Sequence, residues 1–294
     1  MNDVSLLLTL GGVVLGLGLY HILLLFRRRA ALARDSQERL RRLRYLVEVL
    51  NGVFDAVEDE LRPGITPAAL AAFMEEMAHR SSVRSSIRNF RGFPEPAAIS
   101  VNESFLHGVP SLRPIVEGDV VHIQFGVTDG MAYAHQAWAY ALGETSSEWD
   151  TVLATAKRGL VRAADAAHGK GRVGAISEAI QAAADEASCV PNREFVGCGI
   201  WYQPFGWPPI PCWPDPKRAK IQLPMNQAIL VQSIMHVGAS EIRTLPDHWA
   251  IASADDRPAV ALSQMLFLNA GDSEPLTPLR TTRLDNATIR DSVV

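Results

Sequence analysis

Residues 118–144 read GDVVHIQFGVTDGMAYAHQAWAYALGE, two apolar runs that meet at Asp129-Gly130. Asp-Gly between two such runs is a strong short-range signal for a β-hairpin. The stretch therefore predicts two adjacent antiparallel strands. His122 and Gln124 alternate along the first strand, so a regular pleat places them on the same face.

Helical patterns flank this hairpin. Apolar residues recur every three or four positions from Leu40 to Leu61, and Thr66-Pro67 then caps and starts a second helix. Further helices are predicted at about 149–167 and 176–187. Strands are predicted at 97–101, 193–196, 228–234, 249–252 and 261–268. This order predicts an α+β domain in which helices lie outside a curved antiparallel sheet.

The composition narrows the class of protein. The chain has 294 residues and a formal net charge of −4, enough for one large domain with a sizeable core. A slightly acidic chain offers no electrostatic reason to bind nucleic acid. The three cysteines, Cys189, Cys198 and Cys212, are odd in number and follow no zinc spacing, so a disulfide framework is not expected.

The N-terminus predicts a membrane anchor. Residues 4–26 contain no Asp, Glu, Lys or Arg, and a helix of that length spans a hydrocarbon core of roughly 30 Å. A cleavable signal peptide is the alternative, but no basic residue precedes the segment and no small-residue cleavage site follows closely. The arginines between Arg27 and Arg44 favour a single-pass protein with its N-terminus outside and its body in the cytoplasm. The lipid bilayer is then a partner, contacted through residues 4–26.

Composition also suggests where the segments of the chain begin and end. Residues 1–29 are interpreted as the anchor and its basic flank, and residues 30–44 as a basic helical linker. No low-complexity linker divides residues 45–278, which are interpreted as one domain. Residues 279–294 are largely polar and are predicted to form a loose tail.

Several stretches carry a family resemblance by their order and spacing. They are LRPGITPAAL, GFPEPAAISVNESFLHGVP, VEGDVVHIQFGVTDG, AISEAIQAAADE, REFVGCGI, NQAILVQSIMHVG, TLPDHWAIASAD and GDSEPLT. With them the chain resembles, over roughly residues 40–277, the methionine aminopeptidases of the "pita-bread" metallopeptidase family M24. That family also includes proline dipeptidases and creatinase. The resemblance implies the pita-bread fold for this domain.

The resemblance also implies an active site. Methionine aminopeptidases hydrolyse the N-terminal residue of a peptide with two divalent metal ions, held by two aspartates, one histidine and two glutamates. The corresponding positions hold other residues in this chain: Gln124, Ala134, Cys198, Gln232 and Ser263, with Gln264 as the alternative to Ser263. A second histidine of the family aligns with Phe205. His107 matches a family histidine that contacts substrate.

These replacements predict that no metal pair is bound. Two divalent ions need anionic oxygens, which neutralise their charge and bridge them. Gln124 and Gln232 keep the shape of a carboxylate side chain but present a neutral amide. Ala134 and Ser263 offer little or nothing to a cation. No metal cofactor is therefore expected.

Other kinds of chemistry remain open at this stage. Imidazole and thiolate suit zinc, so a rebuilt centre would draw on the histidines and one cysteine: His107, His122, His135, His236 and Cys198. A metal-independent amidohydrolase, as the resemblance to creatinase implies, would use His107 as a general base or to activate Cys198. A residual metalloaminopeptidase is a further alternative.

An aromatic, proline-rich loop follows Cys198. It contains Trp201, Tyr202, Phe205, Trp207 and Trp213, which either fill the former pocket or serve as rigid anchors for a ligand. The expected function is that of a membrane-anchored, catalytically inactive homologue that binds a peptide or protein partner through the former active-site cleft. A scaffold that uses only the anchor and an outer surface is the remaining alternative.

Overall fold

The computed structural model describes residues 37–284. The described residues divide into an N-terminal unit that ends at Arg42 and a main unit that begins at Leu43. In the N-terminal unit, residues 37–42 are helical and the Glu38 carboxylate pairs with Arg41 and Arg42. The predicted membrane-spanning segment, residues 4–26, lies outside the described residues. No helix within residues 37–284 is long and apolar enough to cross a membrane.

The main unit contains helices and strands in the predicted order. Its helices are α1 (43–60), α2 (Pro67–Arg80), α3 (Ser147–Ala166) and α4 (Val173–Asp185), with a short 3₁₀ turn at Phe90–Gly92. Its strands are β1 (Arg84–Ser85), β2 (Ala98–Val101), β3 (Ser104–Leu106), β4 (Val120–Thr128), β5 (Tyr133–Leu142), β6 (Val190–Pro191), β7 (Val196–Gly199), β8 (Gly206–Pro211), β9 (Gln227–His236), β10 (Ile242–Thr244), β11 (Ile251–Ser253), β12 (Ala259–Leu268), β13 (Ser273–Pro275) and β14 (Arg283–Leu284).

Local signals explain the two elements that the sequence predicts best. Thr66 is the N-cap of α2, where its hydroxyl accepts a 3.1 Å hydrogen bond from the backbone N–H of Ala69, and Pro67 follows as the first helical residue. At the hairpin tip, the Asp129 carboxylate accepts bonds from the N–H groups of Met131 and Ala132. Gly130 there has a φ of +89°, which favours glycine. Strands β4 and β5 pair along their full length on either side of this turn.

Two larger sheets build the domain in the described part of the chain. In the first, β4 lies between β5 and the short strands β1 and β2, and β14 pairs with β5 in parallel. In the second, β12, β9, β7 and β8 follow one another, with β13 beside β12 and β6 beside β9. Helix α3 packs against β9 and β12, and the Tyr140 hydroxyl of β5 bonds Glu58 of α1, so helices cover the outer faces.

The two large sheets meet along β5 and β12 through side chains. The N–H of Ala137 donates a 2.7 Å bond to the Ser263 hydroxyl, and the N–H of His135 donates a 3.3 Å bond to the Met265 sulfur. Side chains of β12 therefore satisfy backbone donors on the edge of β5, as buried donors require. The inner faces of both sheets border the cavity described below.

The predicted strand at 193–196 is wrong for its first three residues, since only Val196 belongs to a strand, β7. The first three follow β6, and the Asn192 side chain accepts bonds of 2.9 and 3.0 Å from the N–H groups of Glu194 and Phe195. This turn occupies backbone donors that a strand would use, so pairing resumes only at β7. The aromatic loop also contains a strand, β8, which pairs with β7. Its prolines argued against a strand, so the sequence did not predict it.

The predicted loose tail is wrong for residues 279–284. The Arg280 guanidinium is buried, where it bonds the carboxylates of Asp55 and Glu58 and the Gln136 side chain. The indole N–H of Trp138 donates a 2.6 Å bond to a backbone carbonyl of the same segment. The segment is thus fixed by contacts with distant parts of the chain. Residues 285–294 lie outside the described residues.

Candidate functional site

A cavity of about 330 Å³ lies on the inner faces of the two large sheets. Its floor is polar and its walls are apolar. The floor is formed by His107, Gln124, His135 and Gln232. The walls and mouth are formed by Ile87, Phe90, Arg91, Phe93, Ala98, Leu106, Glu194, Phe195, Val196, Phe205 and Trp249. A concave, mostly apolar pocket with a few converging polar groups is the usual form of a ligand site.

Gln124 lies in the middle of β4 and is nearly buried. Its Oε1 accepts a 2.9 Å hydrogen bond from the backbone N–H of His107. Since one oxygen and one NH₂ make up the amide, this bond leaves the NH₂ group to donate into the cavity. The side chain thereby joins β4 to the turn that follows β3.

His107 occupies that turn in the left-handed region, with φ at +55°. Gly108 must be glycine, because a Cβ there would lie 2.8 Å from the Ile99 carbonyl oxygen and 2.9 Å from the Ser100 Cα, backbone atoms that cannot rotate away. The imidazole of His107 is half-buried and meets the Phe195 ring edge-on, with centroids 5.5 Å apart. Burial lowers the pKa of His107 below its usual value, so the ring is a neutral imidazole at pH 7.

His135, and not Ala134, shares a face of the hairpin with Gln124. Directly opposed residues of an antiparallel pair point to the same side, and His135 opposes Gly126. Gly126 is two residues from Gln124 on β4 and so has the same orientation, which places His135 and Gln124 on one face. Ala134 opposes Val127 on the other face. The assignment of the second aspartate position to Ala134 is therefore wrong by one residue, and His135 lines the cavity instead.

The His135 ring is 7% exposed, and its Nδ1 finds no hydrogen-bond partner among the described residues. Burial, with a smaller contribution from the charge of His107, lowers the pKa of His135 to about 4. This imidazole too is neutral at pH 7. His135 thus contributes a neutral ring to the cavity lining, while its unpaired Nδ1 is itself buried.

The second sheet contributes Gln232 from β9. Ser263 of β12 lies directly opposite it and so points to the same face. Gln264 points to the other side, where its amide donates a 2.9 Å bond to the Thr277 carbonyl. Ser263 is thus the residue that accompanies Gln232, although its hydroxyl is occupied by the N–H of Ala137. The Gln232 amide makes no hydrogen bond to another described residue.

Cys198 lies in β7 between Gly197 and Gly199, and neighbouring backbone leaves no room for a side chain at either glycine. A Cβ at Gly197 would meet the Leu230 carbonyl oxygen at 2.3 Å, and one at Gly199 would meet that of Trp207 at 1.9 Å. The thiol donates a 3.7 Å bond to the Pro204 carbonyl, and burial raises its pKa to about 12. A thiol held protonated in this way is a poor nucleophile.

The five aromatic residues of the 201–213 loop do not act together. Phe205 alone among them lines the cavity, and its ring lies 5.1 Å from Phe90. Trp201 packs on Phe267, with centroids 6.1 Å apart. The remaining members lie outside the cavity lining, with exposed side chains at Tyr202 and Trp207 and a half-buried one at Trp213.

The predicted alternative of a rebuilt zinc centre is not assembled. The His122 ring lies beside Trp149, with centroids 5.8 Å apart. The His236 ring packs on Phe105 and pairs with the Asn192 amide. Within residues 37–284, no group of three or more His, Cys, Asp or Glu side chains could hold a metal ion.

The cavity floor does not fit a pair of divalent cations either. It presents two neutral amides and two neutral imidazoles, and one amide oxygen already accepts from the His107 backbone. None of these groups brings the negative charge that would neutralise two doubly charged ions or bridge them. The one carboxylate of the lining, Glu194, is exposed at the mouth.

The sequence did not indicate several of the walls. Phe90, Arg91 and Phe93 follow a loop rich in serine and arginine, and Trp249 belongs to a distant segment. Phe93 and Trp249 meet edge-on, with centroids 5.3 Å apart, and the Arg91 guanidinium lies 5.5 Å from the Phe90 centroid. The available signal was the unusual aromatic content of an otherwise polar loop.

Comparison with known proteins agrees with this fold. The chain is 25% identical over 203 residues to methionine aminopeptidase 1 of Bacillus subtilis, which covers 69% of this chain and 82% of that protein. It is 24% identical over 233 residues to the methionine aminopeptidase of Clostridium perfringens, which covers 79% of this chain and 93% of that protein.

Solved structures share the architecture. The methionine aminopeptidase from Rickettsia prowazekii superposes with a TM-score of 0.77 at 19% identity, over 82% of this chain and 98% of that one. The enzyme from Thermotoga maritima gives a TM-score of 0.78 at 20% identity, over 82% and 97% of the two chains. These likenesses establish the pita-bread fold. The sequence model of metallopeptidase family M24 matches residues 41–228, and the chain belongs to that family.

Proposed function

We propose that this chain is a catalytically inactive member of family M24 that binds a peptide, or the peptide segment of a partner protein, in the cavity of Gln124 and Gln232. The observation that carries the proposal is the pair of amides on the cavity floor. A peptidase of this family needs metal-bound carboxylates at such positions to acidify water near neutral pH. Neutral amides hydrogen-bond a ligand without activating water.

The cavity walls support peptide binding. Two aromatic pairs in the lining, Phe90 with Phe205 and Phe93 with Trp249, offer apolar surface to a side chain. Cavities of roughly 300–1,000 Å³ are typical of sites for small ligands, and about 330 Å³ suits the end of a peptide. The polar floor would orient the main chain of that peptide by hydrogen bonds.

We further propose that residues 4–26 anchor the protein in the lipid bilayer, with the N-terminus outside and the M24 domain in the cytoplasm. The uncharged segment and the arginines that follow it support this orientation. Nucleic acid is not an expected partner of the net-acidic chain. Resistance of the full-length chain to carbonate extraction from membranes would support the anchor, and release into the supernatant would refute it.

Metal analysis tests the inactive state directly. The full-length chain, purified in detergent, is expected to hold well below one equivalent of cobalt, manganese or iron after dialysis against each ion. It is also expected to leave Met-Ala-Ser peptide intact with or without added metal. Metal-dependent release of methionine that a chelator abolishes would establish the residual metalloaminopeptidase instead.

A metal-independent hydrolase is the second candidate. The observation in its favour is that His107 and His135 line the same cavity as neutral imidazoles, as a general base must be. The buried Cys198 thiol does not favour a covalent route. This candidate predicts chelator-resistant turnover that His107→Ala eliminates. Turnover that survives in the His107→Ala protein would remove it.

A further inference from the structure

We infer that the cavity selects a peptide whose N-terminus is acylated and whose first residue is apolar, so that the ligand presents a neutral amide where a free peptide would present an ammonium group. This inference rests on the proposed peptide-binding function and specifies its ligand. It follows from the charge state of the floor, the position of the charged groups at the mouth, and the aromatic walls.

The floor offers hydrogen-bond donors and acceptors without charge. Gln124 has its NH₂ group left to donate, and the Gln232 amide can both donate and accept. The neutral ring of His107 adds one donor and one acceptor. The neutral ring of His135 lines the same floor without adding a charge. Such a set matches the carbonyl and N–H of an acyl amide, group by group.

An ammonium group would find no opposite charge on this floor. Burying a charge without an opposite charge or full hydrogen bonding is strongly unfavourable. The charged residues of the lining, Glu194 and Arg91, have exposed side chains and lie at the mouth, where solvent screens them. The floor therefore favours a blocked N-terminus over a free one.

The walls define the neighbouring side chain. Two aromatic pairs line the cavity, Phe90 with Phe205 and Phe93 with Trp249, and an unbranched or aromatic apolar side chain would bury its surface against them. Methionine satisfies this requirement because its flexible thioether packs well against aromatic rings. N-formyl-Met-Ala-Ser-amide is accordingly a suitable probe.

Calorimetric titration of the full-length chain in detergent at pH 7.5 tests the inference. N-formyl-Met-Ala-Ser-amide is expected to bind about tenfold more tightly, or better, than Met-Ala-Ser-amide, because only the free peptide buries an unpaired charge. Equal binding, or tighter binding of the free amine, would overturn the inference while leaving the peptide-binding function intact. Binding of neither peptide would instead refute the proposed function and this inference with it.

A charge added to the floor should reverse the preference. Gln232→Glu places a carboxylate where an ammonium group would lie, so the free peptide should gain at least about tenfold relative to the formyl peptide. Gln222→Glu adds the same charge on the surface, away from the cavity lining, and should leave the ratio unchanged. An unchanged ratio in a folded Gln232→Glu protein, checked by its thermal unfolding, would contradict the inference. Gln124→Glu serves as a second variant if that protein does not fold.

Discussion

The side-chain oxygen of Gln124 accepts a 2.9 Å hydrogen bond from the backbone N–H of His107, across the gap between β4 and the end of β3. His107 adopts a φ of +55°, a conformation that non-glycine residues rarely take without support. The bond holds the imidazole over the cavity while it uses up one acceptor of the floor. A single neutral amide thus both shapes the site and reduces its capacity for a cation.

Removing that acceptor should destabilise the fold. Gln124→Met keeps an unbranched side chain of similar length but leaves the His107 N–H without its partner, which typically costs about 1–3 kcal/mol. Gln232→Met is the matched control: the Gln232 amide bonds no other described residue, so its loss leaves no partner unsatisfied and a smaller change is expected. Urea denaturation measures both. Equal losses in the two variants would mean that the hydrogen bond contributes nothing specific.

The junction of the two sheets gives a second matched pair. Ser263→Ala removes the hydroxyl that accepts from the buried N–H of Ala137, and the free energy of unfolding should fall by about 1–3 kcal/mol. Ser233 is equally buried on the neighbouring strand, but its hydroxyl has no partner among the described residues. Ser233→Ala should therefore be neutral or slightly stabilising. The prediction fails if denaturation gives Ser233→Ala the larger loss.

Local signals made much of the fold predictable. Thr66-Pro67 and Asp129-Gly130 act through hydrogen bonds within a few residues, so the start of α2 and the hairpin followed directly from the sequence. The period of the apolar residues likewise placed α1, whose Leu43, Leu50 and Val57 are fully buried. In such elements, the residues that determine the secondary structure lie close together in the sequence.

Register and long-range pairing were not predictable in the same way. Counting from the hairpin turn selected Ala134, whereas the ladder selects His135, because a shift of one residue turns a side chain to the opposite face. Arg280 belongs to a segment that appears loose by composition, yet it pairs with Asp55, 225 positions away. Contacts of that span leave no trace in a local window.

Within the aromatic loop, the cavity should depend on one ring. Phe205→Ala removes a wall of the cavity and should weaken binding of N-formyl-Met-Ala-Ser-amide by about tenfold. Trp207 lies two residues away but is 69% exposed and lies outside the lining, so Trp207→Ala should change affinity by no more than about twofold. Calorimetric titration compares them. A larger loss for Trp207→Ala would place the binding surface on the outside of the loop, whereas unchanged partner binding in both variants would favour the scaffold alternative.

Three buried histidines should make the protein sensitive to acid. Burial lowers the pKa of His122 to about 3, and it is the main cause that lowers those of His135 and His236 to about 4. The unfolded chain, with histidine pKa values near 6.5, then binds more protons than the folded one below that pH. Stability is therefore complete above about pH 6.5 and declines as the pH falls towards the folded values, by up to about 1.4 kcal/mol per pH unit for each histidine.

A substitution of His122 measures the contribution of one histidine to this pH dependence of stability. Neither of its ring nitrogens has a partner among the described residues, so His122→Phe removes two unsatisfied polar atoms along with the proton site. The variant should be at least as stable as the natural chain at pH 7.5 and gain on it steadily between pH 6 and pH 4.5, by about 1 kcal/mol per unit. Urea denaturation across this range gives both curves. Parallel curves would show that His122 takes up its proton as readily in the folded protein as in the unfolded chain, contrary to its burial beside Trp149.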